Sequence, residues 1–199
     1  MPSARYPHFQ TDILRANDLV GLGQKFGAIT YGLVDASDVY RAGIVQAVAA
    51  LDYYFHGVIL DKAVDILMGR QAAGAKTKIG IPFDAIHQIL AAQSASDREQ
   101  AARTHVAQRL SLETFQRADS IGTGLAMVGV AKVWASAFPN DPQQAMTNLN
   151  LVVARRNRIV HQGDTDPLTP GSPTPLTDAD AADAVKLVSA TVAAIDPFC

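Results

Sequence analysis

The run from Asp35 to Gly69 constrains this chain more than any other feature. Asp35-Ala36-Ser37-Asp38 carries helix-start residues, and Gly69 is placed to stop a helix. Between them the stretch Ala42 to Leu51 is apolar nearly all round. A helix without a polar face must be covered on every side. The run therefore predicts a long helix to about Met68 at the centre of a core, with the rest of the chain packed around it.

The remaining periodicity is also helical. An amphipathic segment spans about Thr11 to Leu33, with Ile13, Leu14, Leu19 and Phe26 near helical spacing. Pro82 suits the first turn of a short helix through Ala92. Ser96-Asp97-Arg98-Glu99 reads as the start of a mostly polar helix to about Leu110, and Ser111 to Phe138 as two short helices broken near glycines. Pro139-Asn140-Asp141-Pro142 is a turn with a helix start built in, and Gly163 should end the helix that follows. Pro167, Pro170, Pro173 and Pro175 argue against regular structure between Gly163 and Thr177. Thr177-Asp178-Ala179-Asp180 then opens a last helix to about Ile195. With no strand alternation and no repeat, the expectation is an all-α bundle forming one domain over residues 1–199.

Composition limits the partners. The chain of 199 residues is 48% hydrophobic and 18% charged, which suits a compact globule. A formal net charge of −2 supplies no global basic field, so a polyanion site would have to be local. Cys199 is the one cysteine, which excludes a disulfide framework and suits a reducing, cytoplasmic setting. The first seven residues show no apolar core of a signal peptide. Ile121 to Phe138 is apolar enough to suggest a membrane span, but Lys132, Gly122, Gly124 and Gly129 make it read as a buried, broken helix.

The chemistry concentrates in Arg155-Arg156-Asn157-Arg158-Ile159-Val160-His161. At roughly 100° per residue, Met146, Leu149, Val153, Arg156 and Val160 fall near one line. Arg156 thus lies on an apolar stripe, while Arg155 and Arg158 fall outside it. An arginine there is costly unless something uses its charge. His161 lies roughly 140° around an ideal helix from Arg156, so the two do not stack within one straight helix. Distortion at the helix end or pairing of two copies about a two-fold axis would bring them together. Histidine moves protons near neutral pH, and arginine matches phosphate oxygens with a forked set of donors. Together they suit attack of an RNA 2′-hydroxyl on its adjacent phosphate. Asn157, on nearly the same face as His161, can orient the imidazole or hold a phosphate.

The stretch Arg156 to His161, followed by Gly163-Asp164, resembles the ribonuclease motif of the HEPN superfamily, most closely its RiboL-PSP-HEPN group. Ala47 to His56 resembles the long second helix of that group. The resemblance implies a HEPN-like bundle with additional short helices. It also implies a homodimeric endoribonuclease that needs no metal or other cofactor, of the kind common in toxin–antitoxin and antiphage systems, where an antitoxin or defence protein is the partner. By it, Arg156 and His161 are the catalytic pair, Asn157 the accessory polar residue, and Arg155 a second arginine at a looser spacing. Arg155 and Arg158 are candidate RNA-backbone contacts.

Plainer readings stand beside these. Arg156 could pair with a core carboxylate such as Asp52 or Asp65, and His161 could simply favour the negative end of its helix dipole. Asp52 and His56, four apart on the long helix, could support the site or form an ordinary helix pair. Tyr53, Tyr54 and Phe55 suit a core or interface more than base stacking. Lys76 and Lys78 read as part of a solvated loop, and His8, His87 and His105 as surface or packing residues. The sequence shows no zinc spacing and no nucleophile elbow. The alternative function is a non-catalytic helical module that binds RNA, a nucleotide or a protein.

Overall fold

A computed structural model describes residues 2–73, 79–166 and 169–199. The long apolar run is helix α2 (Ser37–Leu67), and the other elements are arranged around it. Ile44, Val48, Leu51, Phe55 and Ile59 succeed one another along α2 at steps of three and four, all buried. Each contributes about 1.5–3 kcal/mol by leaving water. Helix α1 (Tyr6–Ile29) lays Phe9, Ile13, Ala16 and Val20 against it. At Gly43 a Cβ would stand 3.0 Å from Val20 Cγ2 and 3.3 Å from the Ala16 carbonyl, so the missing side chain sets how closely these helices approach. By length and composition alone α2 could cross a bilayer, but more than half of its apolar window is buried inside the fold.

Helices α3 (Phe83–Ala91), α4 (Ala95–Leu110), α5 (Ala118–Met127), α6 (Val133–Ala137), α7 (Pro142–Gln162) and α8 (Asp178–Ile195) complete an all-α fold. α4, α5, α7 and α8 all pack on α2. Asp141 caps α7 by accepting the Gln144 N–H at 2.8 Å, and Thr177 and Asp180 form a reciprocal capping box on α8. α1 begins at Tyr6, earlier than the apolar spacing suggested, because Pro7 suits its first turn. The cap of α4 is Ser94, not Ser96: its hydroxyl accepts the Asp97 N–H at 3.0 Å.

The two short helices expected between Ser111 and Phe138 are α5 and α6, parted at Gly129, with φ +91°, aided by Lys132 at φ 55°. Gly122 and Gly124 stay inside α5, where small size rather than flexibility is needed. One expectation needs correction. The proline-rich segment has regular structure: β1 (Thr165–Asp166) pairs antiparallel with β2 (Thr169–Pro173). A two-stranded ribbon leaves each strand a free edge, where proline's missing N–H removes no ladder bond. Pro167, and Gly74, Lys76 and Lys78 of the earlier loop, lie outside the described residues.

Candidate functional site

α7 presents its motif as follows. Leu149 and Val153 are fully buried, and Met146, Val152 and Ile159 are partly buried against the core. The stripe then turns toward Ile159, leaving Val160 48% exposed. Arg156 sits half-buried at its edge. Its Nη1 donates to Asn157 Oδ1 at 3.1 Å and to Gln116 Oε1 at 3.4 Å. Its Nε is buried without a hydrogen-bond partner among the described residues. No carboxylate pairs with this guanidinium among those residues. The expected alternatives are both occupied otherwise: Asp65 pairs with Arg70, and Asp52 reaches Arg156 only indirectly.

The link runs through Gln116. Its Nε2 donates to Asp52 Oδ2 at 3.0 Å while its Oε1 faces Arg156, so the two neighbours fix the amide's orientation. Asp52 Oδ1 accepts the Phe115 N–H at 2.7 Å and lies 3.4 Å from His56 Nδ1. His56 Nδ1 also lies 2.9 Å from the Asp52 carbonyl, and its Nε2 lies 3.2 Å from the Leu110 carbonyl. Both ring nitrogens thus face acceptors, which only the imidazolium satisfies together. The bond to Asp52 outweighs burial and raises the His56 pKa above its ordinary value. Burial pushes the Asp52 carboxyl up, but hydrogen bonds from His56, Gln116 and Phe115 hold it below its ordinary range. Asp52 and His56 therefore join the network as supports, one layer behind Arg156.

Packing holds this network in place. The Phe115 ring meets His56 edge-on, with centroids 4.7 Å apart, and rests against Gly124. Asn150 Oδ1 on α7 accepts the Ala118 N–H at 3.0 Å, and Trp134 Nε1 donates to the Ala118 carbonyl at 2.9 Å. The start of α5, and with it Phe115 and Gln116, is thus pinned to the motif helix.

His161 stands exposed on the last turn of α7, which stays α-helical through Gln162. No hydrogen bond joins it to Arg156 among the described residues, and the expected helix-end distortion around it is absent. The backbone turns only afterwards, at Gly163 (φ +59°) and Asp164 (φ +53°). His161 does share a helix face with Asn157, four residues back. The chain therefore gathers Arg156, Asn157, Gln116, Asp52 and His56, and leaves His161 to the side.

Arg155, expected as an RNA contact, is held by partners within the fold. Asp164, fully buried, accepts from Arg155 Nη2 at 2.7 Å and from Arg41 Nε at 3.0 Å. Arg155 Nη2 also lies 3.0 Å from the Thr174 carbonyl and 3.2 Å from that of Pro175. It fastens α7 to the segment after β2 and, through Asp164 and Arg41, to α2, with its Nε and Nη2 committed inside the protein. Arg158, less buried, keeps its Nε 3.9 Å from Asp164 Oδ1, beyond hydrogen-bond reach. Sequence reasoning missed Gln116, Arg41 and the carboxylate role of Asp164. Asp164 follows Gly163 directly, but nothing local to Gln116 or Arg41 marks a partner so far along the chain.

Among the described residues, no three histidine, cysteine, aspartate or glutamate side chains converge so as to hold a metal ion. Among the described residues, hollows lie between α1 and α2 around Gln46, one of them reaching Ile159 and Gly163 at the end of α7, and between α7 and α8 around Asn148. Comparison with family models, curated proteins and solved structures found no match to this chain.

Proposed function

We propose that this chain is a HEPN-type, metal-independent endoribonuclease that works as a homodimer in the cytoplasm. The observation that carries the reading is Arg156: a half-buried guanidinium whose side-chain partners among the described residues, Gln116 and Asn157, are both neutral. Every other arginine of the motif helix has a carboxylate beside it, at Asp164. A cation partly withdrawn from water and without a counter-charge suits an anion that arrives from outside, and a guanidinium fork suits phosphate.

In this reading Arg156 and Asn157 hold the scissile phosphate. The partner subunit's His161 takes the proton of the 2′-hydroxyl, the 2′-oxygen forms a bond to phosphorus, and the bond to the 5′-oxygen breaks. The leaving oxygen receives a proton from water. The products are a 2′,3′-cyclic phosphate and a 5′-hydroxyl. Arg156 gains most where charge builds on the phosphoryl oxygens. A second copy of α7 across a two-fold axis supplies what one protomer leaves apart. An antitoxin or defence-system protein fits as the controlling partner of such an enzyme.

The test is incubation of the purified protein with mixed RNA in EDTA, beside folded Arg156→Ala and His161→Ala variants. Cleavage lost in both variants supports the assignment, and equal cleavage by all three rejects it. The exposed, unoriented His161 favours a second reading, a non-catalytic module that binds RNA phosphate at Arg156. Its mark is binding weakened by Arg156→Ala, without turnover in the parent protein.

A further inference from the structure

We infer that Gln116 is a positioning residue that keeps the Arg156 cation un-neutralised and aimed at the bound phosphate. The inference rests on the phosphate-binding reading of Arg156. Asp52 is the nearest carboxylate in the network, and contact with it would close an ion pair and cancel the charge the site needs. The amide of Gln116 stands between them, donating at 3.0 Å to Asp52 Oδ2 and accepting at 3.4 Å from Arg156 Nη1. It passes on orientation but carries no net charge.

Asp52 is saturated from the other side. Phe115 N–H and His56 occupy its Oδ1, and the doubly donating His56 imidazolium balances its charge. The Asp52–His56 pair is thus close to neutral as seen from Arg156, and Gln116 is held by a fixed, discharged anchor. The buried Nε of Arg156, without a partner among the described residues, has the same sense: the guanidinium is placed by these neighbours but not satisfied by them. A lysine or a carboxylic acid at position 116 could not do this. The first has no acceptor, and the second, when ionised, would pair with Arg156.

Two variants test the inference, with cleavage of a single-stranded RNA oligonucleotide in EDTA and binding of its all-deoxy counterpart as readouts. Gln116→Glu places a carboxylate against Arg156. Near neutral pH its turnover should fall by between about tenfold and a hundredfold. Binding of the deoxy strand should weaken, with a salt dependence shallower by about one phosphate contact. On acidification the introduced carboxyl group, once protonated, reproduces the amide, its O–H donating to Asp52 and its C=O accepting from Arg156. The ratio of variant to parent activity should then rise as pH falls, which a merely structural role would not produce. Gln116→Leu fills the space without either bond and should lower turnover at every pH. Arg156→Ala separates the two claims. If it leaves turnover and binding unchanged, the phosphate reading fails and the inference with it. If it abolishes them while folded Gln116→Glu matches the parent at every pH and salt, only the inference is overturned.

Discussion

Arg156 on α7 and Asp52 on α2 are joined through the side-chain amide of Gln116 and not by an ion pair. Direct ion pairing is the commonest fate of an arginine near a buried carboxylate, and this molecule shows it elsewhere. Arg5 and Arg103 share Asp61, and Arg41 and Arg155 share Asp164. Two adjacent arginines of the same helix therefore have different partners. Arg155 is held by a carboxylate, and Arg156, among the described residues, by neutral amides.

That contrast predicts a crossed pattern of effects. Arg155→Ala leaves Asp164 buried with one fewer cation, and should cost about 3 kcal/mol of stability with Arg41 still in place. Arg156→Ala removes no ion pair and should cost about 1 kcal/mol or less, while abolishing turnover. Urea denaturation of both variants, read beside cleavage rates, checks the pattern. Equal stability losses would contradict the division of labour.

The Asp52–His56 pair gives stability a pH signature. His56 has its folded pKa raised above the ordinary 6.5, so its contribution is complete below pH 6.5 and is lost as pH rises through the higher folded value. Asp52 has its folded pKa lowered below the ordinary 3.8, so its contribution is present above that value and is lost as pH falls through the lower one. The urea midpoint of the parent protein should exceed that of His56→Gln most between these two limits. The gap should narrow in mild alkali. A gap that widens with rising pH would contradict the doubly donating imidazolium.

Gly124 links core packing to the site. A Cβ there would lie 2.5 Å from Phe115 Cε1 and 2.6 Å from Ile59 Cδ1. Gly124→Ala should therefore cost about 1–3 kcal/mol by overpacking, despite alanine's better helix propensity. It should also lower turnover, because Phe115 carries Gln116 with it. Thermal melting and a cleavage rate at a temperature where the variant is folded measure the two effects separately.

Much of this arrangement is legible in the sequence. The apolar run of α2, the proline and aspartate that start α7, the glycine that stops it and the capping box of α8 are local signals, and each forms as its chemistry dictates. Helical angle separates Arg156 from Arg155 and Arg158 but places Arg155 in solvent, where the structure instead ties it to the buried Asp164. The pairing of β1 with β2 is not legible, because proline is tolerated in a strand only where its edge stays unpaired. Nor are the partners of Arg155, Arg156 and Asp52. Asp164 becomes a buried anion only when Arg41 is brought over it, and Gln116 becomes a bridge only when α5 is pinned to α7.

The composite site predicts complementation. If each site takes Arg156 from one subunit and its proton acceptor, His161, from the other, Arg156→Ala and His161→Ala chains mixed and re-paired should recover part of the activity. The heterodimer keeps one intact pair. If both residues act within one subunit, every pairing of the two variants is inactive. Refolding the variants together, with dimer formation followed by light scattering, decides between these outcomes.

The central claim is 2′-hydroxyl attack at a phosphate held by Arg156, and end-group analysis tests it most directly. A defined RNA is cleaved in EDTA, and the same RNA is prepared with one 2′-deoxy substitution at the mapped cut. The account predicts a 2′,3′-cyclic phosphate and a 5′-hydroxyl from the first, no cut at that position in the second, and neither product from Arg156→Ala. Cleavage that persists at the deoxy position, or that leaves a 5′-phosphate, would contradict it.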